Sequence, residues 1–184
     1  MTTIALMANK IVGYKIAEYL INQNENIKYL FLPGLDSSSE ESITSLFDKG
    51  DVKIFQGERI HDQNEVFNQI EDVDYIITVF WPYILKKNIL NLAKKGTINF
   101  HPALLPKNRG WYPHVFSFID SSPAGVSIHQ IDEGIDTGAV WAQKEVEIEE
   151  TDTSYELYEK LQHEIVELFF TNWPKIKKNL ITPK

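Results

Sequence analysis

An amide and an imidazole stand two residues apart at the end of a predicted strand. Asn99 and His101 belong to an apolar segment that Pro102 terminates. Because alternate side chains of a strand point to the same face, we expect both groups to emerge side by side. The amide offers a donor and an acceptor, and an imidazole titrates near neutral pH. Ligands of open α/β sheets bind at the carboxyl ends of the strands, so this pair indicates a catalytic edge.

A carboxylate follows in an acidic turn that contains glycine. A predicted strand over 125–131 leads into this turn, which holds Asp136 and Gly138, and a second predicted strand covers 139–148. An amide, an imidazole and a carboxylate together suit acyl transfer to an amine, in which a carbonyl is polarised and a proton moves. Each residue alone has a common structural explanation, because histidines often lie in cores and Asp-x-Gly turns are frequent.

The two segments together carry a family resemblance. The run Asn-Phe-His-Pro-Ala-Leu-Leu-Pro at 99–106, followed by Ile-Asp-Thr-Gly at 135–138, resembles the folate-dependent formyltransferases. The resemblance covers nearly the whole chain. It implies an α/β, Rossmann-like formyltransferase fold: a mostly parallel, twisted sheet flanked by helices, with a long C-terminal helix. It also implies a formyltransferase that moves a formyl group from N10-formyltetrahydrofolate to an amine, with Asn99, His101 and Asp136 as catalytic residues. We expect Asn99 and His101 to donate to the developing oxyanion and Asp136, directly or through water, to help relay the proton to N10.

The same resemblance assigns a slot for the pterin ring of the formyl donor. In the family, backbone groups of an Ile-Leu stretch bind the pterin, and the acidic turn forms the other wall. An apolar slot with backbone donors suits a flat heterocycle. The residues expected to bind this cofactor are Phe80, Trp81, Pro82, Tyr83, Ile84, Leu85, Asp132, Glu133 and Ile135.

The acceptor amine is indicated by the residues after the predicted catalytic strand. The run Asn-Arg-Gly-Trp at 108–111 resembles amino-sugar nucleotide formyltransferases. The resemblance implies a UDP- or dTDP-linked 4-amino-4,6-dideoxy sugar, with pseudaminic-acid-type glycan biosynthesis as one setting. Aromatic rings could pack on a sugar or base, and cations could meet the diphosphate. The expected substrate-binding residues are Lys10, Lys107, Arg109, Trp111, Tyr112 and His129.

Arginine is scarce in this chain, which makes its position informative. Only Arg59 and Arg109 occur, and Arg109 lies in the loop directly after the predicted catalytic strand. A small basic spot beside the site of an acidic protein favours a small anionic substrate. A surface arginine that closes a turn explains the position equally well. Elsewhere the net charge of −8 argues against a broad nucleic-acid footprint, which weakens a tRNA substrate in particular.

Composition favours one cytoplasmic domain over residues 1–184, with no separate C-terminal domain. The chain of 184 residues is 43% hydrophobic, which is ordinary for a globular protein. No apolar run is long enough to span a bilayer, and no signal-peptide pattern is present, so no membrane partner is expected. The absence of cysteine excludes disulfides and cysteine-ligated metals. The histidine spacings match no zinc signature, and we expect no metal.

Other functions remain open at this point. The acceptor could be glycinamide ribonucleotide or a carrier-bound amino acid. The same three groups could serve water, which would make the protein a formyltetrahydrofolate hydrolase, although such hydrolases usually carry a further ligand-sensing domain. A non-catalytic folate- or nucleotide-binding module is the remaining alternative. The oligomeric state has no signal in the sequence.

Alternating strands and helices must position these groups. Apolar periodicity predicts strands over 3–8, 27–32, 52–55, 75–80 and 97–101, and helices over 11–22, 65–70 and 86–95. Gly96 is expected to cap the last of these helices. The turn over 8–13 has a single glycine, so an ordinary strand-to-helix connection is favoured over a phosphate loop. A capping box at Thr153 predicts a long helix, which Trp173-Pro174 should kink or end.

Overall fold

The fold is a seven-stranded mixed sheet with flanking helices. A computed structural model describes residues 1–47, 52–57 and 66–184. In chain order the elements are β1 Thr3–Ala8, α1 Lys10–Asn22, β2 Asn26–Leu32, α2 Ser37–Thr44, β3 Lys53–Gln56, β4 Val73–Val79, α3 Lys87–Leu90, β5 Ala93–His101, α4 Pro113–Ile119, β6 Ala124–Gln130, β7 Val140–Val146 and α5 Ser154–Lys177. The sheet order is β3-β2-β1-β4-β5-β6-β7; β1 runs parallel to β2 and β4, β2 parallel to β3, and β6 antiparallel to β7. The predicted fold class is therefore confirmed.

Two compact units divide the chain, Met1–Ile98 and Asn99–Lys184. That the whole chain forms a single domain stays a prediction. In the described residues, no helix is both long enough and apolar enough to cross a membrane. Arg59 and Glu65, the first residue of the helix predicted over 65–70, lie outside the described residues.

The first unit is built on the apolar strands β1, β2 and β4. Residues 4–8 of β1 are fully buried. Helix α1 packs against all three strands. It does so through one face at helical spacing, which includes Val12, Ile16 and Leu20. The sequences of the buried parallel strands are therefore continuously apolar, whereas the sequence of the helix is amphipathic because only one of its faces is buried.

The second unit is centred on α5, which packs against β6, β7 and α4. The ring of Phe100 on β5 lies 5.0 Å from that of Phe169 on α5, and Phe169 lies 5.4 Å from Trp173. Phe169 and Trp173 are fully buried. Burial of these three rings holds this part of α5 in place. Phe100 lies between the predicted catalytic residues Asn99 and His101 in the sequence, and its side chain is on the opposite face of the strand.

One predicted helix is wrong. A helix over 86–95 capped by Gly96 was expected, but α3 ends at Leu90, and β5 begins at Ala93. Lys94 and Lys95 form ion pairs with Asp72 and Asp74, at the start of the β4 region. The apolar residues around position 90 fit either period. The sheet therefore captures the segment that follows, and Gly96 lies inside a strand with φ 124°.

Of the two effects expected of Pro174, it does not end α5, and a kink at this position stays a prediction. The helix continues to Lys177 with Pro174 inside it. A proline removes one backbone hydrogen bond and crowds the preceding turn. Trp173 and Ile176 are fully buried on either side of it. Their burial outweighs the local cost and keeps the last turn helical.

The N-terminus of α5 is fixed by the predicted capping box, which is confirmed. The Thr153 hydroxyl accepts from the backbone N–H of Glu156, and the Glu156 carboxylate accepts from the backbone N–H of Thr153. Replacing Thr153 with alanine should lower the free energy of unfolding by about 1 kcal/mol, because one helix donor loses its partner. Urea unfolding measures this loss, and Thr151→Ala, an exposed threonine outside the helix, is the control. An equal loss in both variants would contradict the capping assignment.

Candidate active site

The three predicted catalytic side chains lie together in the second unit. Asn99 and His101 leave the end of β5 on one face, and Asp136 stands in the turn between β6 and β7. The amide Nδ2 of Asn99 donates to Asp136 Oδ1 at 3.5 Å. The imidazole Nδ1 of His101 lies 3.5 Å from Asp136 Oδ2. Asp136 therefore touches both groups, one with each carboxylate oxygen.

His129, on β6, completes this cluster. Its Nδ1 lies 2.6 Å from the carbonyl oxygen of Gln130, and a carbonyl only accepts, so Nδ1 carries the hydrogen. In the neutral ring Nε2 is then an acceptor, 3.1 Å from Asn99 Nδ2 and 3.5 Å from Asp136 Oδ1. His129 is buried. It thus turns the Asn99 amide nitrogen toward Asp136; its predicted contact with substrate stays a prediction.

Backbone groups of the loop after β5 form hydrogen bonds with His101 and Asp136. The carbonyl oxygen of Asn108 lies 2.8 Å from His101 Nε2, and the backbone N–H of Gly110 donates to Asp136 Oδ2 at 2.9 Å. Sequence reasoning gave neither residue a role, because any residue type carries these backbone groups. The Asn-x-Gly spacing was the available signal, since Asn and Gly tolerate left-handed backbone.

Left-handed backbone occurs at both ends of these contacts. Asn108 has φ 52°, Gly110 φ 83° and Asp136 φ 49°. A non-glycine residue in this region is disfavoured and persists where its surroundings hold it, often at functional sites. Hydrogen bonds from the Gly110 N–H and the Asn99 amide stabilise the left-handed backbone of Asp136.

Burial sets the charge states of the central pair. It lowers the pKa of His101, and the attraction of Asp136 and the hydrogen bond to the Asn108 carbonyl oppose this shift only in part. For Asp136, burial alone would raise the pKa; the neighbouring His129 and His101 rings and the hydrogen bond from the Gly110 N–H together outweigh it, and the pKa is lowered. At neutral pH the pair is therefore a neutral imidazole beside a carboxylate.

Gly138 has a steric reason to be glycine. A Cβ at this position would lie 2.0 Å from the carbonyl oxygen of Gln130, which is backbone and cannot simply rotate away. Gly138→Ala should therefore shift the acidic turn and lower the free energy of unfolding by about 1–3 kcal/mol, the usual range for overpacking. Urea unfolding with an m-value check measures it.

Gly110→Ala is the matched comparison for this loss. A Cβ there meets nothing within 4 Å, although φ is 83°. Only the left-handed backbone then opposes alanine, by about 1 kcal/mol. A smaller loss for Gly138→Ala than for Gly110→Ala would contradict the steric explanation.

A cleft of about 630 Å³ opens beside Asp136. Arg109 lines it from the loop after β5, and Trp141 and Gln143 line it from β7. Gln143 donates to the carbonyl oxygen of Leu105 at 2.7 Å, which ties β7 to that loop. Two cationic residues, Arg109 and Lys184, line the cleft together with the Asp136 carboxylate. No group of three His, Cys, Asp or Glu suited to a metal ion occurs among residues 1–47, 52–57 and 66–184.

The predicted acceptor contacts in this unit are exposed. Lys107 and Arg109 point to solvent, and Trp111 and Tyr112 are 70% and 64% exposed. The Trp111 and Tyr112 rings lie 6.1 Å apart. Two large exposed aromatic rings beside a cation offer a surface for a flat or sugar-like ligand, and their role in binding stays a prediction.

The residues predicted to bind the formyl donor are divided between the two units. In the first unit Trp81 and Tyr83 pack edge to face at 5.5 Å, and Asn9 donates to the carbonyl oxygen of Phe80 at 3.1 Å. Ile84 is 76% exposed, and Leu85 is buried. Lys10 of α1 is exposed and has a left-handed backbone.

The acidic turn of the second unit is closed by Asp132. Its Oδ1 accepts from the N–H of Gly134 at 3.0 Å and from the hydroxyl of Thr137 at 2.5 Å. Ile135 is 62% exposed at the tip, beside the exposed Glu133. The turn thus presents an apolar side chain outward, while Asp132 is occupied in holding its shape.

Three relatives illustrate what the chain is similar to. A methionyl-tRNA formyltransferase of Thermodesulfovibrio yellowstonii is 38% identical over 136 residues, 72% of this chain and 44% of the relative. A GDP-perosamine N-formyltransferase of Brucella melitensis is 40% identical over 90 residues, 48% of this chain and 35% of the relative. The chain therefore spans less than half the length of these relatives. The structure of the formyltransferase PseJ from Anoxybacillus kamchatkensis, in complex with UDP-4,6-dideoxy-4-formamido-L-AltNAc and tetrahydrofolate, is 28% identical and covers all of this chain and 80% of its own, with a TM-score of 0.72.

The family match includes the residues of the site. The formyl transferase family model matches residues 37–172, which contain Asn99, His101, His129 and Asp136. The match covers well over half of the chain, and the seven-stranded sheet and the assembled side chains agree with it. This chain belongs to the formyl transferase family.

Proposed function

We propose that the protein is an N-formyltransferase that uses N10-formyltetrahydrofolate to formylate the amine of a nucleotide-linked 4-amino-4,6-dideoxy sugar. The observation that carries the proposal is the contact of Asp136 with both Asn99 and His101 at the end of β5. The relatives support a nucleotide sugar as acceptor, because two of the three described act on or bind such compounds.

Residues suited to the formyl donor are present in each unit. The first unit contains the segment after β4, in which Ile84 is exposed and the rings of Trp81 and Tyr83 pack edge to face. Among the described residues, the buried indole Nε1 of Trp81 has no hydrogen-bond partner, and the second unit has the exposed Ile135. Apolar side chains and a few polar groups are what a flat heterocycle such as a pterin requires. When bound, the donor supplies the activated formyl group.

Transfer forms one bond and breaks another. The acceptor amine attacks the formyl carbon, its nitrogen becomes bonded to that carbon, and the bond from the carbon to N10 breaks. The Asn99 amide is assigned to the negative charge that develops on the formyl oxygen; its Nδ2 would exchange the long 3.5 Å bond to Asp136 Oδ1 for this contact. The pair formed by His101 and Asp136 takes the proton that the amine loses and returns it to N10 of the departing folate, so no net proton is left on the protein.

This assignment changes one role expected for His101. We expected His101 to donate, with Asn99, to the developing oxyanion, but its Nε2 hydrogen is donated to the Asn108 carbonyl oxygen. Its other nitrogen faces Asp136. Proton transfer is the role that these contacts support better, because a carboxylate and an unprotonated imidazole nitrogen both accept.

The acceptor is proposed from the cleft and its rim. Arg109 lines the cleft beside Asp136, and a guanidinium suits a diphosphate. The exposed rings of Trp111 and Tyr112 suit a sugar or base face. A net charge of −8 opposes a polyanion such as tRNA, although methionyl-tRNA formyltransferases are among the relatives. Within this class we favour a UDP- or dTDP-sugar of pseudaminic-acid-type glycan biosynthesis.

The test is an acceptor panel with N10-formyltetrahydrofolate as donor. Release of tetrahydrofolate is followed by absorbance with UDP-, dTDP- and GDP-linked amino sugars, glycinamide ribonucleotide and methionyl-tRNA. We expect turnover with an amino sugar and none without acceptor. Turnover with glycinamide ribonucleotide or methionyl-tRNA alone would replace the proposed acceptor, and release without any acceptor would indicate a hydrolase.

The pH dependence of transfer should follow the lowered pKa of His101. The neutral imidazole is the active form; because burial lowers its pKa below 6.5, the acid limb of kcat/KM should fall below pH 6.5. The charged group facing His101 is Asp136, whose pKa is lowered below 3.8, so it stays ionised throughout this range. Initial rates at several pH values measure the limb. A limb above pH 6.5 that does not follow the ionisation of the acceptor amine would contradict a buried neutral base.

A further inference from the structure

We infer that Asn108 is a positioning residue that determines which nitrogen of His101 exchanges the proton. Its carbonyl oxygen holds the hydrogen on Nε2, so Nδ1, the nitrogen that faces Asp136, is the basic one. The inference rests on the proposed function for its place in the reaction, but not for the state of the imidazole itself.

The hydrogen on His101 can be assigned from its partner. Nε2 lies 2.8 Å from the carbonyl oxygen of Asn108, within hydrogen-bond distance. A carbonyl oxygen has no hydrogen to give, so Nε2 must be the donor. A neutral imidazole carries one hydrogen only, and Nδ1 is therefore unprotonated.

Asn108 is itself held firmly, which lets its carbonyl act as a fixed acceptor. Its side-chain Nδ2 donates to the hydroxyls of Ser122 at 2.8 Å and Ser117 at 3.2 Å. Ser117 is buried on α4, and its hydroxyl donates to the carbonyl oxygen of Pro113 at 3.5 Å. Both amide hydrogens of Asn108 are thus used to anchor a backbone with φ 52°. Asparagine suits this position, because it accepts left-handed backbone and supplies two donors.

Without this anchor the imidazole would favour the other tautomer. Asp136 Oδ2 lies 3.5 Å from Nδ1, and a carboxylate attracts a hydrogen on the nearest nitrogen. The Asn108 carbonyl opposes that preference. His129 does not supply the hydrogen, because its own is donated to Gln130 and its Nε2 also accepts. Each of the two unprotonated ring nitrogens therefore lies 3.5 Å from one oxygen of Asp136, and this carboxylate stabilises a proton that His101 Nδ1 takes up during the reaction.

The arrangement defines the path of the proton in the proposed reaction. When the carbon–nitrogen bond to the acceptor forms, the proton of the amine passes to His101 Nδ1, and the imidazolium is stabilised by Asp136. When the bond to N10 breaks, the same proton passes from Nδ1 to N10. The imidazole returns to its starting state with the hydrogen still on Nε2.

Nitrogen-15 NMR of the histidine side chains tests the inference without any substrate. Long-range proton–nitrogen correlations distinguish protonated from unprotonated ring nitrogens, and His101→Gln identifies the signals. Above the ordinary pKa of 6.5, we expect His101 with hydrogen on Nε2 and a bare Nδ1. A hydrogen on Nδ1 in the unaltered protein would overturn the inference.

Asn108→Gly provides the second arm. Glycine keeps the left-handed backbone but loses both serine bonds, so the carbonyl should loosen and the Nδ1–H tautomer should appear. The kcat for transfer should then fall on the order of 10-fold, because the basic nitrogen no longer faces Asp136. Asn179→Gly is the matched control, since Asn179 also has a left-handed backbone, with φ 55°, at the end of α5. It should change neither the tautomer nor kcat.

Ser122→Ala is a second variant that tests the inference even if Asn108→Gly does not fold. It removes the 2.8 Å bond alone and should shift the tautomer in the same direction by a smaller fraction. If folded Asn108→Gly and Ser122→Ala both keep a pure Nε2–H imidazole, Asn108 is not the positioning residue. If the tautomers behave as expected but no amine is formylated, the proposed function fails separately.

Discussion

Replacing Asp136 with asparagine is expected to lower kcat/KM for formyl transfer by about 10²- to 10⁴-fold, the usual contribution of a group that takes part in proton transfer. The substitution keeps the shape of the side chain, and its oxygen can still accept from the Gly110 N–H. It removes the negative charge that stabilises a protonated His101. Steady-state rates of tetrahydrofolate release measure the effect.

Asp72→Asn is the control for this prediction. Asp72 also has a left-handed backbone, with φ 61°, but its side chain is 73% exposed and pairs with Lys94. Its replacement should leave the transfer rate within experimental error. If Asp136→Asn is folded and retains more than about one tenth of the original rate, the carboxylate has no part in proton transfer.

Replacing His101 with alanine is expected to lower kcat by about 10²- to 10⁴-fold, because the base is lost. The double variant with Asp136→Asn should be little slower than the slower single variant, since groups that act as a unit are not additive. The same rate assay measures both. Circular dichroism checks the fold, because His101 is buried and its removal leaves space.

His163→Ala is the matched control, a histidine on α5 whose side chain is 66% exposed. It should leave the rate unchanged. Full additivity of His101→Ala and Asp136→Asn would contradict a shared proton path and would favour independent roles for the two side chains.

The grouping of Asn99, His101 and Asp136 could be predicted from the sequence because much of their spacing is local. Strand periodicity alone places Asn99 and His101 on one face, and the acidic turn supplies Asp136 at the end of the next strand pair. The resemblance to the formyltransferase family then indicated that the segments 99–106 and 135–138 belong to one site. The distances agree with that interpretation, although the division of roles among the three remains proposed.

The backbone hydrogen bonds from the loop after β5 to His101 and Asp136 could not be predicted, for a physical reason. Asn108 and Gly110 act through a carbonyl and an N–H, which every residue type except proline possesses. Their effect depends on a left-handed backbone and on two serine hydroxyls that come 9 and 14 residues later. Sequence periodicity contains no information on such contacts.

The error over residues 86–95 has a different origin. Apolar residues near position 90 fit helical and strand periods alike, and Gly96 suggested a C-terminal cap for a helix. Ion pairs with Asp72 and Asp74 and the pairing of β5 in the sheet decided the outcome. Tertiary context overrode a weak local preference, as it often does for short segments.

The fate of a labelled formyl group tests the central claim most directly. The donor would carry carbon-13 in its formyl group, and carbon NMR would follow the label during incubation with the protein and nucleotide-linked amino sugars. We predict a new formamide signal on one acceptor, absent with His101→Ala, and no labelled formate when the acceptor is withheld. Labelled formate as the sole product, or a donor that binds and stays intact with every amine, would contradict the account.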